Sequence, residues 1–156
     1  MSQIASGFGL SSSLMNQLLP LAEDRNYKAF WSLLFDQATE TTPNYSFSGS
    51  VVAIATVYLE GKGVRLPVND AHPTVRAMLS AELSLEMCCE AEQAVAVLAA
   101  MQQLEIDDSE LGSYYVEFTG EEWDQAIDAL REGLDYIKRT LLLAQSGYDW
   151  IMLFIG

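Results

Sequence analysis

The run Trp150-Ile151-Met152-Leu153-Phe154-Ile155 decides the fold. It is continuous, apolar and of strand length, with no alternate residue to offer to water. It therefore predicts a strand buried on both faces rather than a frayed tail. Removing it is expected to destroy the fold. Just upstream, Thr119-Gly120-Glu121-Glu122 has the form of a capping box, with acidic residues in the first turn. It predicts a long helix from Glu121 whose one face carries Trp123, Ala126, Ile127, Leu130, Leu134, Ile137, Leu141 and Ala144. Lys138 and Arg139 fall late in that helix and Gly147 just beyond it, as the helix dipole favours.

Further outward, Leu83, Leu85, Met87 and Cys89 alternate with Ser84, Glu86, Cys88 and Glu90, the period-two signature of a half-buried strand. A helix from Ala91 to Leu104 follows, with Ala94, Val95, Leu98, Met101 and Leu104 on its buried face. Before the strand, His72-Pro73 opens a short helical turn with Val75, Met78 and Leu79 on one side, and His72 serves the turn or caps it. Val51 to Leu59 mixes β-branched content with a Ser50 cap and a Gly61-Lys62-Gly63 stop, and reads as a buried helix. Thr41 to Gly49 reads as an exposed connection. Tyr27, Phe30, Trp31, Leu34 and Phe35 form an aromatic stripe at helical spacing, read as core. Gln3 to Leu10 reads as a first strand. Ser11 to Ser13 cap a helix over Leu14 to Leu19 that Pro20 interrupts. The sum is an α+β chain: one domain over residues 1–156, several helices packed around a small mixed sheet with a buried C-terminal strand.

Composition narrows the function. Half of the 156 residues are hydrophobic, ample for one core. No apolar run reaches the roughly 18 residues that cross a bilayer. No secretory signal is recognisable at the start, so a cytoplasmic protein is expected. The net charge of −14 is unevenly spread: residues 1–80 carry −1 and residues 81–156 carry −13. Between Arg76 and Arg131 stand thirteen carboxylates and no basic residue. Direct nucleic-acid binding and an anionic membrane are disfavoured, since both need a basic face. A basic protein partner is favoured, because a dense negative field speeds encounter and orients it. A merely solubilising acidic surface is the bland alternative.

Catalytic and metal motifs are absent from the pattern. Cys88 and Cys89 are adjacent and unsuited to a bridge with each other. The single histidine, His72, is far upstream, so no zinc set is expected. Glu86, Glu90 and Glu92 surround the cysteines and disfavour a thiolate nucleophile. Counting a calcium loop from Asp107 puts Gly112 at position six, but Leu111 falls at five and Phe118 at twelve, where a bidentate Glu is required. Those acids read as helix-start charges. No phosphate loop, nucleophile elbow or H-E-x-x-H occurs, so no catalytic residue and no cofactor are assigned.

The segments Ile4 to Leu10 with Ser11 and Leu14 to Leu19, Lys28 to Phe35, and Glu92 to Leu104 before Asp107-Asp108-Ser109-Glu110 share an order of elements with a known family. So does Tyr136 through Gly147 into Trp150 to Ile155. Together they resemble the YfbM-like family of uncharacterised bacterial proteins. Thr39 to Ser80 departs from that pattern, lacking the family's His near Leu34 and its following Thr-Gly. The resemblance implies a single α+β domain and supplies no activity. Three functions stay open: an inhibitory binding protein such as an immunity protein or antitoxin for a basic toxin or nucleic-acid-binding protein, an adaptor or structural domain, and a small hydrolase using a carboxylate pair. The first is favoured. Its expected contact residues are Glu105, Asp107, Asp108, Glu110, Glu121, Glu122, Asp124 and Asp128, on the acidic turn and the long helix.

Overall fold

A computed structural model of the chain describes residues 3–43 and 46–156. Its centre is the predicted C-terminal strand. In chain order the strands are β1 (Ala5–Leu10), β2 (Thr39–Glu40), β3 (Leu85–Glu90) and β4 (Trp150–Ile155), and they lie side by side in the order β2-β1-β4-β3. β4 pairs with β1 from Ala5↔Ile155 to Leu10↔Trp150 and with β3 on its other edge, and every residue of β4 is buried. The strand pairings of the sheet are antiparallel rather than mixed; among the described residues the one parallel contact is the isolated Val68↔Cys88 bridge.

Helices cover both faces of this sheet. They are α1 (Ser12–Glu23), α2 (Tyr27–Gln37), α3 (Ser50–Gly61), α4 (Pro73–Ser80), α5 (Ala91–Gln102), α6 (Asp108–Thr119) and α7 (Ala126–Leu142). On one face Ala5, Met87, Cys89, Ile151, Leu153 and Ile155 join the core built with α3, α5, α6 and α7. On the other, Phe8, Leu10, Cys88, Trp150, Met152 and Phe154 pack against α1, α2 and α4. The doubly covered sheet explains why β4 carries no polar alternate. The helix over Val51 to Leu59 is confirmed in α3, and His72 caps α4, its Nδ1 accepting from the Thr74 N–H at 3.1 Å.

Several local expectations are corrected. Pro20 lies inside α1, and the ladder resumes with Asp24 N–H donating to Pro20 O. Both Pro20 and Asn16 are exposed, so the carbonyl that loses its partner is open to water, while Leu14, Met15, Leu18 and Ala22 stay buried through the break. The alternation predicted for β3 breaks at a bulge. Leu85 pairs with Phe154 and Met87 with the adjacent Leu153, so Glu86 is the extra residue. Leu83 and Leu85 therefore serve one core while Met87 and Cys89 serve the other. Val95 of α5, expected on the buried face, is exposed, and Leu79 of α4 is exposed although Val75 and Met78 are buried. Part of the Thr41–Gly49 connection, residues 44 and 45, lies outside the described residues.

The Thr119 capping box does not form. Thr119 ends α6, Gly120 closes it in the left-handed region at φ 76°, and α7 starts only at Ala126. Glycine at a helix C-terminus meets the turn's demand for positive φ, and that outweighs the cap-like Thr. The Thr119 hydroxyl instead accepts from the Glu121 N–H at 3.2 Å, within the connecting turn.

Candidate functional site

The eight predicted contact carboxylates divide into two groups. Asp107, Asp108 and Glu110 are engaged by the fold itself. Asp107 caps α6, its carboxylate accepting from the Ser109 N–H at 2.6 Å. The segment counted as a calcium loop is thus helix, with Gly112 inside α6. Asp108 takes a hydrogen bond from Arg131 Nε of α7 at 2.6 Å. Glu110 lies 2.7 Å from Lys62 Nζ and accepts from the Tyr58 hydroxyl at 3.0 Å, joining α6 to α3. The Lys62 and Tyr58 hydrogen bonds hold the Glu110 carboxyl below the usual carboxylate range. Sequence distance hid these cations: Lys62 and Arg131 stand far from their partners along the chain but adjacent in space.

Glu105, Glu121, Glu122, Asp124 and Asp128 are exposed and form no ion pair among the described residues. Glu121, Glu122 and Asp124 were expected on the long helix but lie in the turn that leads into it. That turn presents Trp123. The indole is half-buried, packing edge-to-face on Phe47 at 5.1 Å between ring centroids and tilted on Tyr115 at 5.5 Å. The turn residues thus surround a fixed aromatic anchor.

Two open grooves flank Trp123. One, of about 510 Å³, is lined by Val116, Glu117, Glu122, Asp124 and Ile127. The other, of about 440 Å³, is lined by Phe47, Val51, Ile54, Tyr115 and Glu121. Phe118 of α6, 51 % exposed, lines neither groove and stacks on Tyr114 at 6.0 Å. Glu117 and Trp123 were not singled out for contact from the sequence. Glu117 stands alone in an aromatic stretch, and Trp123 matched the apolar period of the expected helix.

Cys88 and Cys89 are fully buried, and burial pushes the Cys89 thiol up to about 12 and that of Cys88 higher still. Among the described residues no group of three or more His, Cys, Asp and Glu is placed to hold a metal ion. No helix among them is long and apolar enough to cross a membrane. No family model, curated protein or solved structure matches the chain.

Proposed function

We propose that the protein is a non-catalytic, cytoplasmic inhibitory binding protein, in the manner of an immunity protein or antitoxin. In this reading the surface around Trp123 covers a basic face of its partner. One observation carries it: Glu117, Glu121, Glu122 and Asp124, none neutralised by an ion pair among the described residues, line grooves on either side of a half-buried tryptophan. An aromatic anchor with adjoining pockets is the usual centre of a protein contact, and uncompensated charge around it selects an oppositely charged partner. The net −14 extends that selection to longer range through steering. Kinship with the YfbM-like family is proposed from the quoted segments alone and adds no activity to this reading.

The test is capture of partners by the tagged chain from cells that express it, at low and moderately high salt, compared with a Glu121→Gln, Glu122→Gln, Asp124→Asn variant. A stoichiometric basic protein held by the parent, weakened by salt and lost from the variant, is the expected result. An empty capture, or a partner the variant holds equally well, would overturn the reading.

A further inference from the structure

The other core of the molecule ends in a third, chemically different groove. The aromatic stripe of α2 is not simply core: Phe30 and Leu34 are buried, but Tyr27 is 43 % and Phe35 51 % exposed, and Trp31 is half-buried between them. These three rings, at four-residue spacing, line an open groove of about 470 Å³ together with Phe154 and the turn from Ala81 to Ser84. Trp31 is locked edge-on against Phe154 at 4.9 Å and lies 5.9 Å from Phe35. The aromatic wall is therefore preorganised.

The turn opposite is held in an unfavourable shape. Glu82 and Ser84 both have positive φ, 57° and 58°. Glu82 occupies the position after the α4 cap where glycine is usual, with Glu82 N–H donating to Leu79 O and Leu83 N–H to Met78 O. Tyr27 clamps this turn by donating its hydroxyl to Ala81 O at 3.1 Å, and Arg25 donates to Ser80 O at 2.9 Å. Glu82 thus stands where glycine would relieve strain, in the lining of the same groove as the three aromatic rings. Strain of this kind concentrates at binding sites.

Aromatic walls with one carboxylate select a particular ligand chemistry. An anion is repelled by Glu82 and by the net −14. A metal ion needs several oxygen ligands, and among the side chains lining the groove Glu82 is the one carboxylate. A wholly apolar guest would desolvate Glu82, which forms no ion pair among the described residues. An alkylated ammonium satisfies both halves, its methyl groups and charge meeting the rings and its charge meeting the carboxylate. We propose that the groove formed by Tyr27, Trp31, Phe35 and Glu82 binds a small organic ammonium compound.

The test is titration of the full chain with choline, followed by calorimetry and by the amide and indole signals of the groove residues, with its neutral carbon isostere dimethylbutanol as control. Saturable choline binding centred on Trp31 is expected, with the isostere bound about tenfold more weakly. Glu82→Gln and Phe35→Leu should each weaken choline binding while leaving the melting temperature nearly unchanged. Glu82 and Phe35 are surface positions, so a folded variant with no change in affinity overturns the proposal. So does equal binding of the isostere, or an absence of choline binding in the millimolar range.

Discussion

Tyr136 sits where α7 meets the sheet, and its hydroxyl does what no strand neighbour does. It accepts the Gly7 N–H at 2.8 Å and lies within reach of the Ala5 and Thr41 carbonyls, with the tyrosine fully buried. Tyr136→Phe conserves the ring but leaves the Gly7 N–H unsatisfied, which costs about 1–3 kcal/mol. The expected result is a lower urea midpoint with an unchanged slope. Glu82 makes the opposite case. Replacing it with glycine removes the penalty of a side chain in the left-handed region, offset in part by the freer unfolded chain, for a net gain of about 1 kcal/mol. Glu82→Gly should therefore melt higher while losing choline. Neither residue was legible in the sequence. Tyr136 falls between apolar periodic positions, and its value lies in a hydroxyl that a hydropathy period does not register. Glu82 and Arg25 close their helices without the glycine that signals such an end, whereas Gly63, at φ 85°, was readable.

At the scale of elements, a polar contact supplements the apolar packing where α3 meets α6. Lys62 and Tyr58 of the α3 end grip Glu110 of α6, and the grip is pH-dependent in both directions. Glu110 is held below its ordinary value of 4.5, chiefly by Lys62 and then Tyr58, so the fold favours the carboxylate. That stability is present above the ordinary value and is lost as pH falls through the lowered one. Tyr58 is raised from 10.0 to about 12, first by burial and then by its bond to Glu110. Its protonated form is favoured, so this contribution is full below pH 10 and is lost as pH rises towards 12. Melting temperature against pH should accordingly fall less steeply in acid for Glu110→Gln than for the parent, and less steeply in alkali for Tyr58→Phe. Parallel curves would show that the contact contributes nothing to the α3–α6 join. Strongly patterned elements were legible: β4 from its apolar run, α3 from its glycine stop, although Ser50 is its first residue rather than its cap, and α5 from its period. Boundaries were less so. Pro20 is carried inside α1 by the packing of Leu14, Met15, Leu18 and Ala22, and the Gly120 turn overrides a local capping pattern at Thr119.

The whole molecule combines a doubly covered sheet with a charge of −14, and the two pull against each other. Burial on both faces of β4 supplies cohesion, while like charges on the α6–α7 side oppose compaction. The α+β class was legible from the apolar run. Which carboxylates remain unneutralised was not, because Lys62 and Arg131 reach Glu110 and Asp108 only after folding. That division makes a prediction for the entire chain. Added monovalent salt should raise the melting temperature, since screening acts on Glu105, Glu117, Glu121, Glu122, Asp124 and Asp128, which form no ion pair among the described residues, more than on the pairs such as Lys62–Glu110 and Arg131–Asp108. The Glu121→Gln, Glu122→Gln, Asp124→Asn variant should melt higher than the parent at low salt, by about 1 kcal/mol in total, and respond less to salt. A surface that weakens the isolated protein is expected where charge serves a partner rather than the fold. If salt instead lowers the melting temperature and neutralisation destabilises the chain, the acidic turn stabilises the free protein. It would then need no partner to account for it.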